Sequence, residues 1–447
     1  MADSCRIDGT GNGEFLNPKK YTNGVYFLVT PNLAKLNDFI IGNNQHFSIF
    51  ADTLPNVPQT ILGSEDNDLF KKYNDFIMVK GPQINEIERS YAEAGLFADS
   101  NDRRRNYALQ MQQLDGEIRG FRDQIMRENP ETFIAQLFNL MRKPDVPTTL
   151  PIVNGKPDSS YPYRYLKEHY WDDIYFNDPS LLHTPIVKDR TSMFEDKLDE
   201  YFDRVVSPDP DSVIKEIRYM MAFSRSNKEM YSFFLNKFTN KFWVPKYLGQ
   251  DKIFAFLYEN YFAQGDTILV TPESRKNVRE NYYKIVGNIV GNPAAPMVLR
   301  DTADKKISLY DVKAPLIFII FWDPSCGHCR TQVPRVDSFY EAVWRKKGVA
   351  VFTMNMNRNN DLGNWRSFIN ENNLKDWHNG YELDADEMEE ARKGRNIRQS
   401  YNIHETPTFY LIDKDKKIIA KSPLILETFN DIIDLKYRQY QSQQNKK

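Results

Sequence analysis

Two cysteines separated by two residues constrain the fold of this chain more than any other feature. Cys326-Gly327-His328-Cys329 closely follows residues 315–322, an apolar run of strand length that is far shorter than the ~20 residues of a membrane helix. The pattern predicts a strand, a turn and a helix that begins at or near Cys326. Because a helix N-terminus has a positive field and unpaired N–H groups, we expect the pKa of the Cys326 thiol to lie below that of a free thiol.

The spacing predicts a redox-active pair with two different roles. One helical turn brings Cys329 close enough to Cys326 for a disulfide. We expect Cys326 to attack as the nucleophile and Cys329 to resolve the resulting mixed disulfide. His328 adds positive potential when protonated, which favours the thiolate and makes the disulfide more oxidising. A zinc site would need two more ligands; Cys5 is remote and none of the six histidines has useful spacing, so we expect no metal and no cofactor.

Strands and helices alternate after a proline-containing linker at residues 288–296. The predicted strands cover residues 315–322, 349–354, 408–412 and 417–420, and the predicted helices cover 326–347, 364–372, 384–400 and 426–441. This β-α-β order, followed by a β-hairpin and a terminal helix, is typical of the thioredoxin fold, which we assign to residues 291–447.

Two prolines agree with this fold. Pro334 lies inside the helix that follows the cysteines, where we expect a kink. Pro407 follows Thr406 just before a predicted strand, and we predict a cis peptide bond between them. We expect this loop to pack beside the cysteine pair and to present the backbone of Thr406 to an extended substrate segment.

The upstream sequence predicts further domains, because 447 residues are too many for one ordinary domain. Residues 1–64 combine turn dipeptides with β-rich segments and predict a small antiparallel β domain. Residues 65–145 predict long charged helices, and residues 146–288 predict a helical domain rich in aromatic residues. The predicted fold class is therefore multidomain α+β: a small β domain, a helical middle region and a C-terminal α/β thioredoxin fold.

Charge and hydropathy exclude some partners. The chain has 59 Lys and Arg against 61 Asp and Glu, a net charge of −2, which argues against a nucleic-acid binder. Apolar runs are too short for a membrane span, and the first residues show no apolar signal-peptide core. A first strand is predicted around residues 5–7 with no preceding turn or cap. We therefore expect the β domain to begin earlier than this chain does; the alternative is a complete small sheet with a frayed start.

The last third of the chain resembles bacterial extracytoplasmic thioredoxin-like reductases of the TlpA type. The resemblance rests on Trp322, the Cys326–Cys329 motif, Pro334 and the segment Glu405-Thr406-Pro407-Thr408. Upstream, residues 45–49 and 63–67 are similar to a β domain found before many such modules. Residues 170–173 and 178–185 are similar to an uncharacterised helical domain seen between the two.

The resemblance implies a thiol–disulfide oxidoreductase that acts on protein thiols or disulfides and exchanges electrons with an upstream redox donor or acceptor. It also implies a periplasmic or otherwise extracytoplasmic location. In this interpretation Trp322, Pro324 and Glu405 modulate the site, as His328 does, while Thr406 and Pro407 bind substrate.

Two positions depart from the resembling proteins. Ile320 stands where thioredoxins place a buried aspartate that manages protons, and Gln332 stands where cytochrome-c-maturation members place a glutamate. The proton acceptor of Cys329 is therefore open, with Glu405 as one candidate, and a role in haem maturation is in doubt.

Two other functions remain as alternatives. A peroxiredoxin-like peroxidase has a related fold, but that family needs a threonine three residues before its reactive cysteine, where this chain has Asp323. A binding or scaffold protein would hold a partner with its upstream domains and use the cysteine pair secondarily. Reduction of insulin with and without Cys326 distinguishes an oxidoreductase from a scaffold.

Overall fold

A computed structural model describes residues 2–32, 34–52, 59–93, 101–188, 191–265, 271–356, 361–382 and 396–444. The chain forms two compact units. The first comprises Met1–Ser207 with Arg218–Phe234, and the second comprises Pro208–Ile217 with Leu235–Lys447. The boundaries of the four segments expected from the sequence stay predictions.

The first unit opens with two antiparallel strand pairs: β1 (Gly24–Val29) with β2 (Lys35–Ile41), and β3 (Ser48–Phe50) with β4 (Thr60–Leu62). The prediction of a strand around residues 5–7 is wrong, because the described residues before β1 form none. The four strands also do not join into one sheet. One reason is that the Asn67 side chain bonds to both the N–H and the C=O of Ile40, at 2.8 and 2.7 Å, and so occupies the free side of β2.

Long helices follow as predicted. Helices α1 (Glu65–Glu93), α2 (Asn101–Glu128) and α3 (Phe133–Met141) share a core around Ile40, Tyr73 and Ile125. Among the described residues, the strands and α-helices that follow before the thioredoxin fold are the strand pairs β5 (Ile152–Val153) with β6 (Lys156–Pro157) and β7 (Ile186–Lys188) with β8 (Thr191–Ser192), and helices α4 (Tyr161–Glu168), α5 (Met193–Glu200), α6 (Pro210–Ser224), α7 (Lys228–Lys241), α8 (Asp251–Leu257) and α9 (Pro272–Ile285).

The C-terminal part has the predicted thioredoxin fold. A hairpin that the sequence analysis missed, β9 (Val298–Arg300) with β10 (Lys306–Ser308), precedes a five-stranded sheet. The sheet strands are β11 (Leu316–Trp322), β12 (Ala350–Asn355), β13 (His378–Gly380), β14 (Thr408–Asp413) and β15 (Ile418–Lys421), in the order β13-β12-β11-β14-β15. Strand β11 runs parallel to β12 and antiparallel to β14.

Helices cover this sheet: α10 (Gly327–Phe339), α11 (Leu362–Glu371), α12 (Ile397–Ser400) and α13 (Leu426–Gln444). Helical turns continue α10 through Lys347, as predicted. Of the helix predicted over residues 384–400, the part before residue 396 lies outside the described residues.

Strand β11 is central because both of its faces are buried. Leu316, Phe318, Ile320 and Trp322 pack into a core on one face together with Cys329 of α10, while the intervening residues 317, 319 and 321 pack into a core on the other. This period of two is what a strand dictates, and burial on both faces explains the continuous apolar run. Because β11 is packed on both faces, its C-terminal end is a rigid support for the cysteine turn that follows it.

No helix of the described residues combines the length and the apolar character needed to cross a membrane.

Candidate active site

The turn between β11 and α10 is built by Asp323. Its Oδ1 accepts hydrogen bonds from the Ser325 backbone N–H at 2.8 Å and from the Ser325 hydroxyl at 2.6 Å. Its carbonyl accepts from the Cys326 N–H at 3.0 Å. Cys326 is then the N-cap residue of α10, with extended backbone angles. This role of Asp323 was not predicted, although an Asp two residues before a Ser is a recognisable turn signal.

Cys326 lies half-buried at this helix start, as the sequence predicted. Its Sγ donates to the carbonyl of Thr406 across 3.4 Å. Burial raises the pKa of the Cys326 thiol, but hydrogen bonds from the Cys329 backbone N–H, the Thr406 side chain and the His328 backbone N–H lower it by more in total, so the pKa falls below its ordinary value. The helix N-terminus therefore favours the thiolate.

Cys329 has the opposite environment. It is fully buried in the core between α10 and the sheet, and its Sγ accepts a hydrogen bond from the Asp323 N–H at 3.4 Å. Burial raises the pKa of this thiol to about 12. Both cysteines are free thiols, and so is Cys5. One sulfur is thus accessible and acidic, and the other is shielded and protonated.

Strand β14 places the predicted proline loop beside these sulfurs. Phe321 of β11 is in register with Thr408 of β14, so the residues just before Thr408 lie next to the cysteine turn. The Thr406–Pro407 peptide bond is cis, and the Thr408 hydroxyl donates to the carbonyl of Glu405 at 2.6 Å. The loop expected from sequence is therefore adjacent to Cys326, with the Thr406 carbonyl facing the reactive sulfur.

The other predicted site residues divide into two groups. Trp322 and Pro324 are buried, and the Trp322 ring packs against Phe368 with centroids 5.0 Å apart. His328 and Glu405 are exposed. The structure thus brings Cys326, Cys329 and Thr406 together and leaves His328 and Glu405 at the surface.

The two departures noted in the sequence leave Cys329 without a neighbouring carboxylate at those positions. Ile320 is fully buried and apolar. Gln332 accepts a hydrogen bond from the Arg335 guanidinium at 3.2 Å. Across the described part of the chain, no group of three or more His, Cys, Asp or Glu side chains is arranged to hold a metal ion.

Comparisons with known proteins find similarity in the thioredoxin-like part and in the helical segment before it. Residues 290–421 match the AhpC/TSA family, and residues 120–264 match a domain of unknown function (DUF5106). The thiol-disulfide oxidoreductase ResA of Bacillus anthracis is 29% identical over 132 residues, which are 30% of this chain and 68% of that protein. ResA of Bacillus subtilis is 26% identical over 131 residues, 29% of this chain and 64% of that protein.

Solved structures are also similar. A thioredoxin-like protein from Bacteroides caccae is 19% identical, with a TM-score of 0.43, over 65% of this chain and 99% of that one. A domain of a possible thiol-disulfide isomerase from Cytophaga hutchinsonii is 29% identical, with a TM-score of 0.29, over 36% of this chain and 97% of that one.

Proposed function

We propose that this oxidoreductase exchanges disulfides with protein substrates through Cys326 and Cys329. The proposal starts from residues 290–421, which match the AhpC/TSA family and are related to ResA-type thiol-disulfide oxidoreductases. Cys326 is the nucleophile and Cys329 is the resolving thiol. The main support is the contrast between a half-buried Cys326 with a lowered pKa and a fully buried Cys329 whose pKa is about 12.

In the reducing direction, the substrate is a protein disulfide. The Cys326 thiolate attacks one substrate sulfur, a mixed disulfide forms, and the other substrate sulfur leaves as a thiolate that takes up a proton. Cys329 then loses its proton and attacks the Cys326 sulfur, which forms the Cys326–Cys329 disulfide and releases the second substrate thiol. The substrate gains two electrons and two protons, and an upstream redox donor returns the same number to the protein. Oxidation of a substrate dithiol is the reverse sequence.

Burial supports this order of events. Because Cys329 is shielded, an external disulfide reaches Cys326 first, and Cys329 becomes useful only once a mixed disulfide lies within its reach. The Thr406 backbone beside Cys326 offers an extended substrate chain a place to pair, so we assign substrate binding to Thr406 and Pro407. Trp322 and Pro324 support the turn, while His328 and Glu405 act on the site from the surface.

The experiment uses reduction of insulin by the full chain with a chemical or enzymatic donor. The Cys326→Ser variant loses turnover completely. The Cys329→Ser variant loses turnover too, but accumulates a mixed disulfide with the substrate that a non-reducing gel reveals. Cys5→Ser is the matched control and keeps wild-type turnover. A Cys326→Ser variant that still reduces insulin contradicts the proposal.

The proposed location is periplasmic or otherwise extracytoplasmic, supported by the resemblance to extracytoplasmic reductases of the TlpA type. The natural protein should then fractionate with extracytoplasmic proteins in its host. Recovery with cytoplasmic proteins contradicts this part of the proposal.

A further inference from the structure

A buried ion pair joins helix α8 to strand β15 within the second unit. The Lys421 Nζ lies 2.5 Å from Asp251 Oδ2, and the two side chains are only 17% and 3% exposed. The same ammonium also donates to the Asn288 carbonyl at 2.8 Å and to the Asn288 side-chain oxygen at 2.6 Å. A buried lysine is tolerated when its donors are partnered in this way.

This ion pair is connected to the proline loop by Lys421, the last residue of β15, and by the residue that follows it. Lys421 is in register with Tyr410 of β14. The next residue, Ser422, exchanges two hydrogen bonds with Phe409: the Phe409 N–H donates to the Ser422 hydroxyl at 2.9 Å, and the Ser422 N–H donates to the Phe409 carbonyl at 2.8 Å. Phe409 lies only two residues after Pro407. The segment that presents Thr406 is therefore held in place from the β15 side.

We propose that Asp251 and Asn288, which precede the thioredoxin fold in sequence, are positioning residues for the thiol site: through Lys421 and β15 they set the placement of Thr406 beside Cys326. The inference rests on the proposed function of Cys326 and Thr406. Neither Asp251 nor Asn288 touches the sulfurs, so both act through other residues. Helix α8 then contributes to the function of the redox domain, because it carries Asp251.

The test compares variants that distinguish a change in the position of Thr406 from the effect of leaving one charge of the buried ion pair unpaired. Asp251→Asn keeps the side-chain shape and removes one charge of the pair. The double variant Asp251→Asn with Lys421→Met removes both charges, so no unpaired charge stays buried. Asp211→Asn is the matched control, because it breaks an exposed ion pair of the same helix α8, the 2.6 Å contact of Lys252 with Asp211 of α6.

Three readouts are taken at a temperature where thermal unfolding shows each variant to be folded. The first is the pH midpoint of Cys326 alkylation in the reduced protein. The second and third are kcat and KM for reduction of a disulfide-linked peptide. In Asp251→Asn we expect the alkylation midpoint to rise, since the Thr406 side chain is one of the groups that lower the pKa of Cys326.

We also expect kcat/KM of Asp251→Asn to fall about tenfold, mostly through KM, because a small displacement of a binding group has effects of this size. The double variant regains thermal stability but keeps both defects. The control matches the wild type. A double variant that recovers the wild-type midpoint and KM overturns the proposal, since the buried charge alone would then explain the defect.

An Asp251→Asn variant that folds and has the wild-type midpoint and KM overturns it as well. If Asp251→Asn does not fold, Asn288→Ala leaves the ion pair intact and is judged by the same two readouts. The alkylation midpoint needs no turnover. A wild-type protein that reduces no disulfide therefore contradicts the proposed function, while the alkylation shift still decides whether Asp251 positions the site.

Discussion

The strongest prediction concerns how differently the two thiols of the motif react. The perturbation is removal of one cysteine at a time in a Cys5→Ser background, which leaves Cys326 alone or Cys329 alone. Each reduced protein is treated with iodoacetamide at pH 7, and the rate of labelling is followed by mass. We expect Cys326 to be labelled at least about 30-fold faster than Cys329.

The magnitude follows from the two environments. A pKa of about 12 leaves Cys329 with a thiolate fraction of about 10⁻⁵ at pH 7, whereas Cys326, with a pKa below 9.0, has at least about 10⁻². The ratio is about a thousandfold. A more basic thiolate is intrinsically more nucleophilic, with a Brønsted coefficient of about 0.5. The Cys329 thiolate is therefore about 30-fold more reactive than the Cys326 thiolate, which offsets part of this ratio. About 30-fold remains, and the complete burial of Cys329 increases it further.

Denatured protein provides the control for this experiment. In concentrated urea both cysteines lose their folded environments, so their labelling rates should agree within a few-fold. Labelling of folded Cys329 within tenfold of Cys326, or faster, refutes the assignment of nucleophile and resolving thiol.

Three further predictions follow from single side chains. His328→Pro removes a group that adds positive potential when protonated, so the reduction potential should fall by tens of millivolts in glutathione equilibration (about 30 mV per 1.4 kcal/mol), and a rise contradicts the reasoning. Phe318→Ala empties a fully buried position beside Trp344 and should cost about 3–5 kcal/mol in urea unfolding, whereas Leu435→Ala, which is 54% exposed, should cost under about 0.5 kcal/mol. Burial raises the pKa of Asp66 above 3.8 despite hydrogen bonds from the start of α3, so its contribution to stability is full below pH 3.8 and is lost as pH rises through the folded-state pKa. Relative to Asp66→Asn, the wild type should therefore lose stability as pH rises from 4 to 7. A difference between the urea midpoints of the two proteins that is the same at pH 4 and pH 7 would contradict this.

Much of the thioredoxin fold was predictable because its signals are local. The apolar run of β11 and the helical pattern after Cys326 each report on one element, and the structure has both at the predicted places. The hairpin β9–β10 was missed because three-residue strands leave too short a pattern to recognise. In the first unit, antiparallel strands were predictable but their pairing was not, since it depends on the Asn67 side chain at the edge of β2.

The sequence by itself determined the chemistry of this protein: a dithiol at a helix start, preceded by a buried strand and followed by a Thr-Pro before another strand. Only the tertiary structure decided which elements shield Cys329, because its burial depends on how α10 packs onto the sheet. It also decided the contact of Lys421 with Asp251, which are 170 residues apart in sequence. Local patterns report on spacing within one element, whereas burial and long-range partners follow from packing among elements, which no single segment encodes.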